Sequence, residues 1–285
     1  MSTPLPPKTR IVSAHLKVTN LKRSLAFYTD TLGFHSRIIR DDRAELSASP
    51  KGATLIHLLA HPQAQPKPRH TTGLFHIAIR VPSRRALAQV IRRLYEQQWP
   101  LLGASDHGVS EALYLNDPDG NGLEIYTDLP RSQWPTQGDK VAMYSAPLNV
   151  QNLLQEATDR TDTHLPANTD LGHIHLQVSS LATAKQFYCD LIGFDVRQDN
   201  YKGALFVAAD GYHHHLGLNT WASEGAPSPP QNTVGLDTFT IAIPDIKTLE
   251  AISNRFEKAN ITFTKTPSQI TTQDTDHNTL ILSSQ

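Results

Sequence analysis

Cysteine is almost missing from this chain: Cys189 stands alone among 285 residues. An internal disulfide is therefore excluded, and the composition fits a reducing compartment. Long apolar runs are missing as well, and nothing reaches the roughly 20 consecutive residues that span a bilayer. Neither sign of charge dominates, because 26 Lys and Arg face 27 Asp and Glu for a net charge of −1. With no long run of one sign, the chain lacks the electrostatic footprint of a nucleic-acid or membrane-surface binder. Aromatic content of 7% is lean, but 39% hydrophobic residues are enough for folded cores. The opening Met-Ser-Thr-Pro-Leu-Pro-Pro-Lys-Thr-Arg has no apolar core of the secretory type. These features predict a cytoplasmic protein without nucleic-acid or membrane partners.

Histidine is what the chain has in surplus, at fourteen residues. It is the commonest metal ligand and an acid–base group near neutrality, so the positions of the histidines carry information. The length suggests two domains. Residues 11–19 alternate as a strand, with His15 on the face opposite Val12, Ala14, Leu16 and Val18. Asn20 can cap a helix from Leu21 to about Thr31, which Gly33 ends. Strands are expected near 35–40, 43–48 and 53–60, then a proline-containing loop at 62–72. A second unit follows the same plan: strand 74–81, helix 84–98, and strands near 100–102, 111–116 and 122–127.

The whole pattern then repeats. Phe27-Tyr28-Thr-Asp30-Thr-Leu-Gly33-Phe34 returns as Phe187-Tyr188-Cys-Asp190-Leu-Ile-Gly193-Phe194, and His15-Leu16 returns as His175-Leu176. Val81-Pro82 matches Ile243-Pro244, and Asp117, Asp119 and Asn121 match Asp274, Asp276 and Asn278. The expected organisation is two α+β domains, 9–128 and 169–284, each a pair of βαβββ modules. Residues 129–168 link them, with a helical stretch near 149–158. A linker of that length is expected to pack on a domain.

The stretch from His107 to Glu124 reads as a hairpin around Asp117-Pro-Asp-Gly-Asn-Gly122. Tyr114, Glu124 and Tyr126 lie out of phase with Leu113, Leu115, Leu123 and Ile125, so they face away from the aliphatic side. In the second repeat His76, Tyr114 and Glu124 are replaced by Thr238, Thr271 and Ile281, while the turn residues persist. The hairpin therefore does not need those side chains as scaffold, which points them toward chemistry. His15, His76 and Glu124 form a candidate set of two imidazoles and one carboxylate. Such a set leaves adjacent coordination positions open and suits Fe(II), while Mn(II) and Zn(II) accept the same donors.

Paired βαβββ modules of this kind resemble the vicinal oxygen chelate superfamily, which holds glyoxalase I, bleomycin-resistance proteins and extradiol dioxygenases. The resemblance covers nearly the whole chain and implies that each module pair forms an open barrel. Within that superfamily, His107-x5-Leu113-Tyr114-x2-Asp117-Pro118-x-Gly120-x3-Glu124 is similar to the extradiol ring-cleavage signature. Ser105 departs from the usual residue there. The Gly211-Tyr-His-His-His-Leu-Gly-Leu-Asn219-Thr-Trp221 stretch adds to the likeness. The resemblance implies cleavage of a small aromatic diol by Fe(II) and O₂. It assigns His15, His76 and Glu124 as metal ligands, Tyr114 and His107 as groups at the substrate, and His61 as the acid–base histidine, the last by spacing from His76. It also implies a homodimer through open sheet edges. One departure stands out: better-known two-domain members hold the metal in the second domain, whereas the complete set here lies in the first, and the second offers His173, His175 and His213 to His215 without a matching carboxylate.

Two other readings compete. A glyoxalase-type isomerase or lyase would add a Glu from the last strand of the first module, but residues 54–61 read Thr-Leu-Ile-His57-Leu-Leu-Ala-His61. A metal-free binding or resistance protein would have no use for the His, His, Glu and Tyr114 set.

Overall fold

The computed structural model describes residues 4–138, 140–158 and 163–284. The first module comprises β1 (Arg10–Val18), α1 (Leu21–Ala26), β2 (His35–Arg40), β3 (Arg43–Ser47) and β4 (Thr54–Ala60). The second comprises β5 (Gly73–Arg80), α2 (Arg84–Glu96), β6 (Leu101–Asp106), β7 (Ser110–Asn116) and β8 (Gly122–Asp128). The link carries the short strands β9 (Thr136–Gln137), β10 (Lys140–Val141) and β11 (Ala146–Pro147), then α3 (Val150–Leu154). The third module runs β12 (Asp170–Gln177), α4 (Leu181–Lys185), β13 (Asp195–Gln198), β14 (Ala204–Ala208) and β15 (Leu216–Asn219). The fourth runs β16 (Gly235–Ile243), α5 (Ile246–Lys258), β17 (Phe263–Lys265), β18 (Gln269–Gln273) and β19 (Thr279–Ser284). Each βαβββ unit read from the sequence is present. The helix expected over 21–31 is α-helical only to Ala26 and relaxes into a π-turn over Phe27–Thr31, and Gln186–Ile192 does the same after α4.

The fold is α+β, with two large curled mixed sheets, a two-stranded ribbon of β9 and β10 in the link, and helices packed on the large sheets. The sheets do not follow the two repeats. One has the order β17-β18-β19-β16-β1-β4-β3-β2, and the other β11-β6-β7-β8-β5-β12-β15-β14-β13. Module one thus pairs with module four, and module two with module three. Expecting each barrel to form within one repeat is corrected here: its seams are the antiparallel pairs β1–β16 and β5–β12, both of which cross between repeats. The link packs on the second sheet, with β11 extending it beside β6 and Val141 and Met143 clustering with Val109, Ala204 and Phe206.

Contacts within a repeat lie on the helical side. Arg93 of α2 donates to the carbonyls of Thr31 and Leu32 at 3.3 and 2.7 Å, and Arg255 of α5 donates to those of Leu191 and Ile192 at 2.6 and 2.9 Å. Tyr28 donates to Asp117 at 3.2 Å, and Tyr188 to Asp274 at 2.7 Å. The repeated Phe-Tyr and Asp-x-Asp-x-Asn motifs are therefore structural: each Asp also accepts backbone N–H groups of its own turn. No helix among the described residues is long and apolar enough to cross a membrane.

The arginine clamp is testable. Arg93→Ala leaves buried carbonyls of the first module unsatisfied, and we expect a loss of about 2–3 kcal/mol of stability with unchanged metal content. Denaturant unfolding alongside metal analysis checks this.

Candidate metal centre and its cavity

The cross-repeat seam decides what meets. Along β5, His76 lies opposite His175 and Ala78 opposite His173. On the other flank of β5, Ala78 lies beside Glu124 of β8. His76, His173 and Glu124 therefore converge over Ala78, whose methyl group takes little of the space between the two flanking strands. All three are buried. Glu124 Oε2 is 2.9 Å from His76 Nε2 and 3.1 Å from His173 Nε2, and the two Nε2 atoms are 3.4 Å apart. Among the described residues this is a group whose donor atoms could hold a metal ion.

The set fits a divalent ion. Adjacent ligands on an octahedral ion with bonds of about 2.1 Å stand about 3.0 Å apart, close to the three separations present here. Protonation states also fit. Burial works to raise the Glu124 carboxyl, but His173 and His76 overcome it and hold it well below the ordinary range. Burial lowers His173 to about 4. A neutral His173 imidazole beside an ionised Glu124 carboxylate is in the form that binds metal.

Local packing makes the approach possible. Gly122, at the start of β8, has no room for a Cβ, which would stand 2.0 Å from the Phe75 carbonyl oxygen. Gly172 sits where β12 and β5 slip register, and a Cβ there would strike the Tyr126 hydroxyl at 1.6 Å. These absences of side chain let β8 and β12 close on β5.

Two of the three donors, His76 and Glu124, border a cavity of about 380 Å³, and His173 lies behind them. At its polar end, His107 Nε2 lies 2.7 Å from the Tyr114 hydroxyl, and His107 Nδ1 lies 2.8 Å from the Tyr144 carbonyl. The carbonyl only accepts, so the imidazole proton sits on Nδ1 and Nε2 accepts from Tyr114. Burial and the Glu124 charge keep the Tyr114 phenol well above its usual range, hence neutral. His214 also borders the cavity, its ring centroid 4.0 Å from that of His173. Burial, with His173 and His213 nearby, holds His214 well below the ordinary histidine value. His213 Nε2 meets Asp128 Oδ1 at 2.9 Å, and its Nδ1 meets His214 Nδ1 at 2.7 Å. A proton held toward Asp128 leaves His213 Nδ1 to accept from His214, so His214 Nε2 is the bare nitrogen.

The structure thus brings together His76, Glu124, Tyr114 and His107, as the sequence led us to expect. It does not bring His15 or His61 to them. His15 is on β1 in the other sheet, facing Thr238 and His57 across the strands, with its ring 4.1 Å from that of His57. His61 is exposed at the end of β4 and borders a separate depression with Lys17 and Lys67. Both expectations assumed that modules one and two share a barrel. His57 lies with His15 and away from the cavity.

The sequence offered His173 and His214 only as second-domain histidines without a carboxylate and did not place them at this centre. A signal for His173 was available: at the same offset that matches His15 to His175, its counterpart is Ser13. It is a histidine the strand does not need, the same reasoning that singled out Glu124. His214 lay inside a run of three, all of which turn out to be buried.

The model for the Glyoxalase/Bleomycin resistance protein/Dioxygenase superfamily matches residues 10–125 and 170–279. The chain belongs to that superfamily. It is 44% identical over 270 residues to the catechol-2,3-dioxygenase of Bacillus subtilis (strain 168), covering 93% of this chain and 94% of the relative. That relationship puts the chain on the dioxygenase side of the superfamily. Solved structures share the fold at low identity. One is a provisionally named dioxygenase from Bacillus subtilis subsp. subtilis str. 168, with TM-score 0.64 and 12% identity, covering 100% of this chain and 86% of that one. Another is glyoxalase I from Zea mays, with TM-score 0.59 and 16% identity, covering 97% and 92%.

Four substitutions test the centre. Glu124→Ala and His173→Ala are each expected to abolish stoichiometric metal binding, whereas His15→Ala leaves it intact, by metal analysis after reconstitution. Ala78→Leu places a branched side chain between His173 and Glu124, and we expect at least about tenfold weaker metal affinity, on the scale of lost supporting contacts at metal sites.

Proposed function

We propose that the chain is an extradiol dioxygenase that opens a catechol-type ring beside its two hydroxyls, using Fe(II) held by His76, His173 and Glu124. The observation that carries this reading is the buried cluster of two imidazoles and one carboxylate at the end of a cavity wide enough for a substituted aromatic ring. The relative named catechol-2,3-dioxygenase supports it. When bound, Fe(II) supplies adjacent open positions for the diol and O₂ and a path for electrons between them. Mn(II) would serve the same donors.

The chain's own groups handle orientation and protons. The neutral Tyr114 hydroxyl donates to His107, which leaves its oxygen to accept from a diol hydroxyl. His214 stays unprotonated at neutral pH and its ring lies tilted against that of a ligand histidine, so Nε2 is suited to take a proton from the diol and return it during ring opening. Asp128 and His213 hold His214 in that tautomer. The largely apolar walls limit water around the reacting ring. Both oxygen atoms of O₂ enter the product, and the ring bond next to the diol breaks. A glyoxalase-type reaction would call for a further carboxylate, but Glu124 is the one acidic residue lining the cavity. A cytoplasmic location and a homodimer through an open sheet edge belong to the same reading.

Anaerobic reconstitution with Fe(II), followed by catechol and air, should give a yellow ring-opened product with equimolar O₂ uptake. Turnover of a thiohemiacetal in place of every catechol would overturn the reading. His214→Ala should lower kcat by about 10²–10⁴-fold with metal retained, the range for loss of a positioned acid–base group, while His61→Ala leaves kcat unchanged.

A further inference from the structure

The cavity holds more than the polar end accounts for, and its remaining walls are mostly apolar. Met143, contributed by the link between repeats, and Phe206, from β14, are buried in its wall. Of eight large apolar side chains exposed among the described residues, four border this cavity: Phe75, Leu102, Tyr144 and Trp221. Exposed apolar residues scattered singly carry no message, but their gathering at one cavity does. Leu102 is 67% exposed and Trp221 48%. A volume of about 380 Å³ corresponds to roughly a dozen waters at about 30 Å³ each, more than an unsubstituted catechol displaces. No lysine or arginine lines the space, and Glu124 is its one acidic side chain.

We infer that the preferred diol carries an uncharged, apolar ring substituent, as in an alkyl- or aryl-catechol, and that carboxylated catechols are rejected. This rests on the dioxygenase reading of the same cavity. A carboxylate on the ring would meet apolar walls with no lysine or arginine to pair with and would share the space with the Glu124 anion. An alkyl or aryl group would instead cover the Trp221 and Leu102 surfaces as it leaves the diol end, gaining several-fold in affinity for each methylene removed from water.

The test uses the metal-loaded full chain with catechol, 4-propylcatechol and 3,4-dihydroxybenzoate. Binding is measured by calorimetry without oxygen, and turnover is measured separately after O₂ is admitted. 4-Propylcatechol should bind at least about tenfold tighter than catechol, and 3,4-dihydroxybenzoate at least about tenfold weaker, as expected of an uncompensated charge. Leu102→Arg, at an exposed position whose substitution leaves the core untouched, should improve 3,4-dihydroxybenzoate binding and weaken that of 4-propylcatechol. Equal or tighter binding of 3,4-dihydroxybenzoate by the unaltered protein overturns the inference, even if catechols are cleaved. The expected binding order without ring cleavage supports the selectivity and overturns the dioxygenase reading. Failure of all three diols to bind overturns both.

Discussion

The antiparallel seam between β5 and β12 is the constraint on which the centre depends. It sets His175 opposite His76 and His173 opposite Ala78, while the parallel pairing of β5 with β8 sets Glu124 beside Ala78. A one-residue slip in either pairing would send alternate side chains to the other face and disperse the three donors. Register at this seam is held on both sides by aliphatic burial, with Ile77, Ile79, Leu123, Ile125 and Ile174 in the core. The chemistry thus sits on one face of a sheet whose opposite face is fixed by packing.

The two repeats are joined in two different ways. Polar clamps from α2 and α5 and the tyrosine–aspartate bonds tie modules within a repeat. Backbone ladders tie modules across repeats. Both are needed for a site that draws two donors from the first repeat and one from the second. The second repeat, which lacks a matching carboxylate, contributes His173 from its third module to the same candidate centre as Glu124. The other sheet, built from modules one and four, keeps the scaffold; His15 and His57 there lie tilted against each other, Glu45 stands 3.8 Å from His57, and Ile281 takes the place of Glu124.

Around the donors, polarity is graded. Asp128 is partly open to solvent, and His213, His214 and His173 follow inward, each in contact with the next. Beyond the donors the walls become apolar. Burial keeps His173 and His214 neutral, while the ionised Glu124 is sustained by the two imidazoles facing it. One end of the cavity therefore carries the candidate metal donors and the paired histidines and the other is largely apolar, without a lysine or arginine between them.

By itself the sequence determined the four βαβββ modules, the repeat, the turn chemistry at Asp117 and Asp274, and the candidacy of His76, Glu124, Tyr114 and His107. Those features are local, written in strand alternation, helix caps, turn residues and the differences between aligned repeats. Only the tertiary structure decided which module faces which. Every module has an amphipathic sheet able to pair with any other, and pattern within a module does not encode its partner. That choice removed His15 and His61 from the centre and supplied His173 and His214 in their place. It turned a site read within one repeat into one shared between the two, because donor convergence is a property of strand neighbours that are distant in the chain.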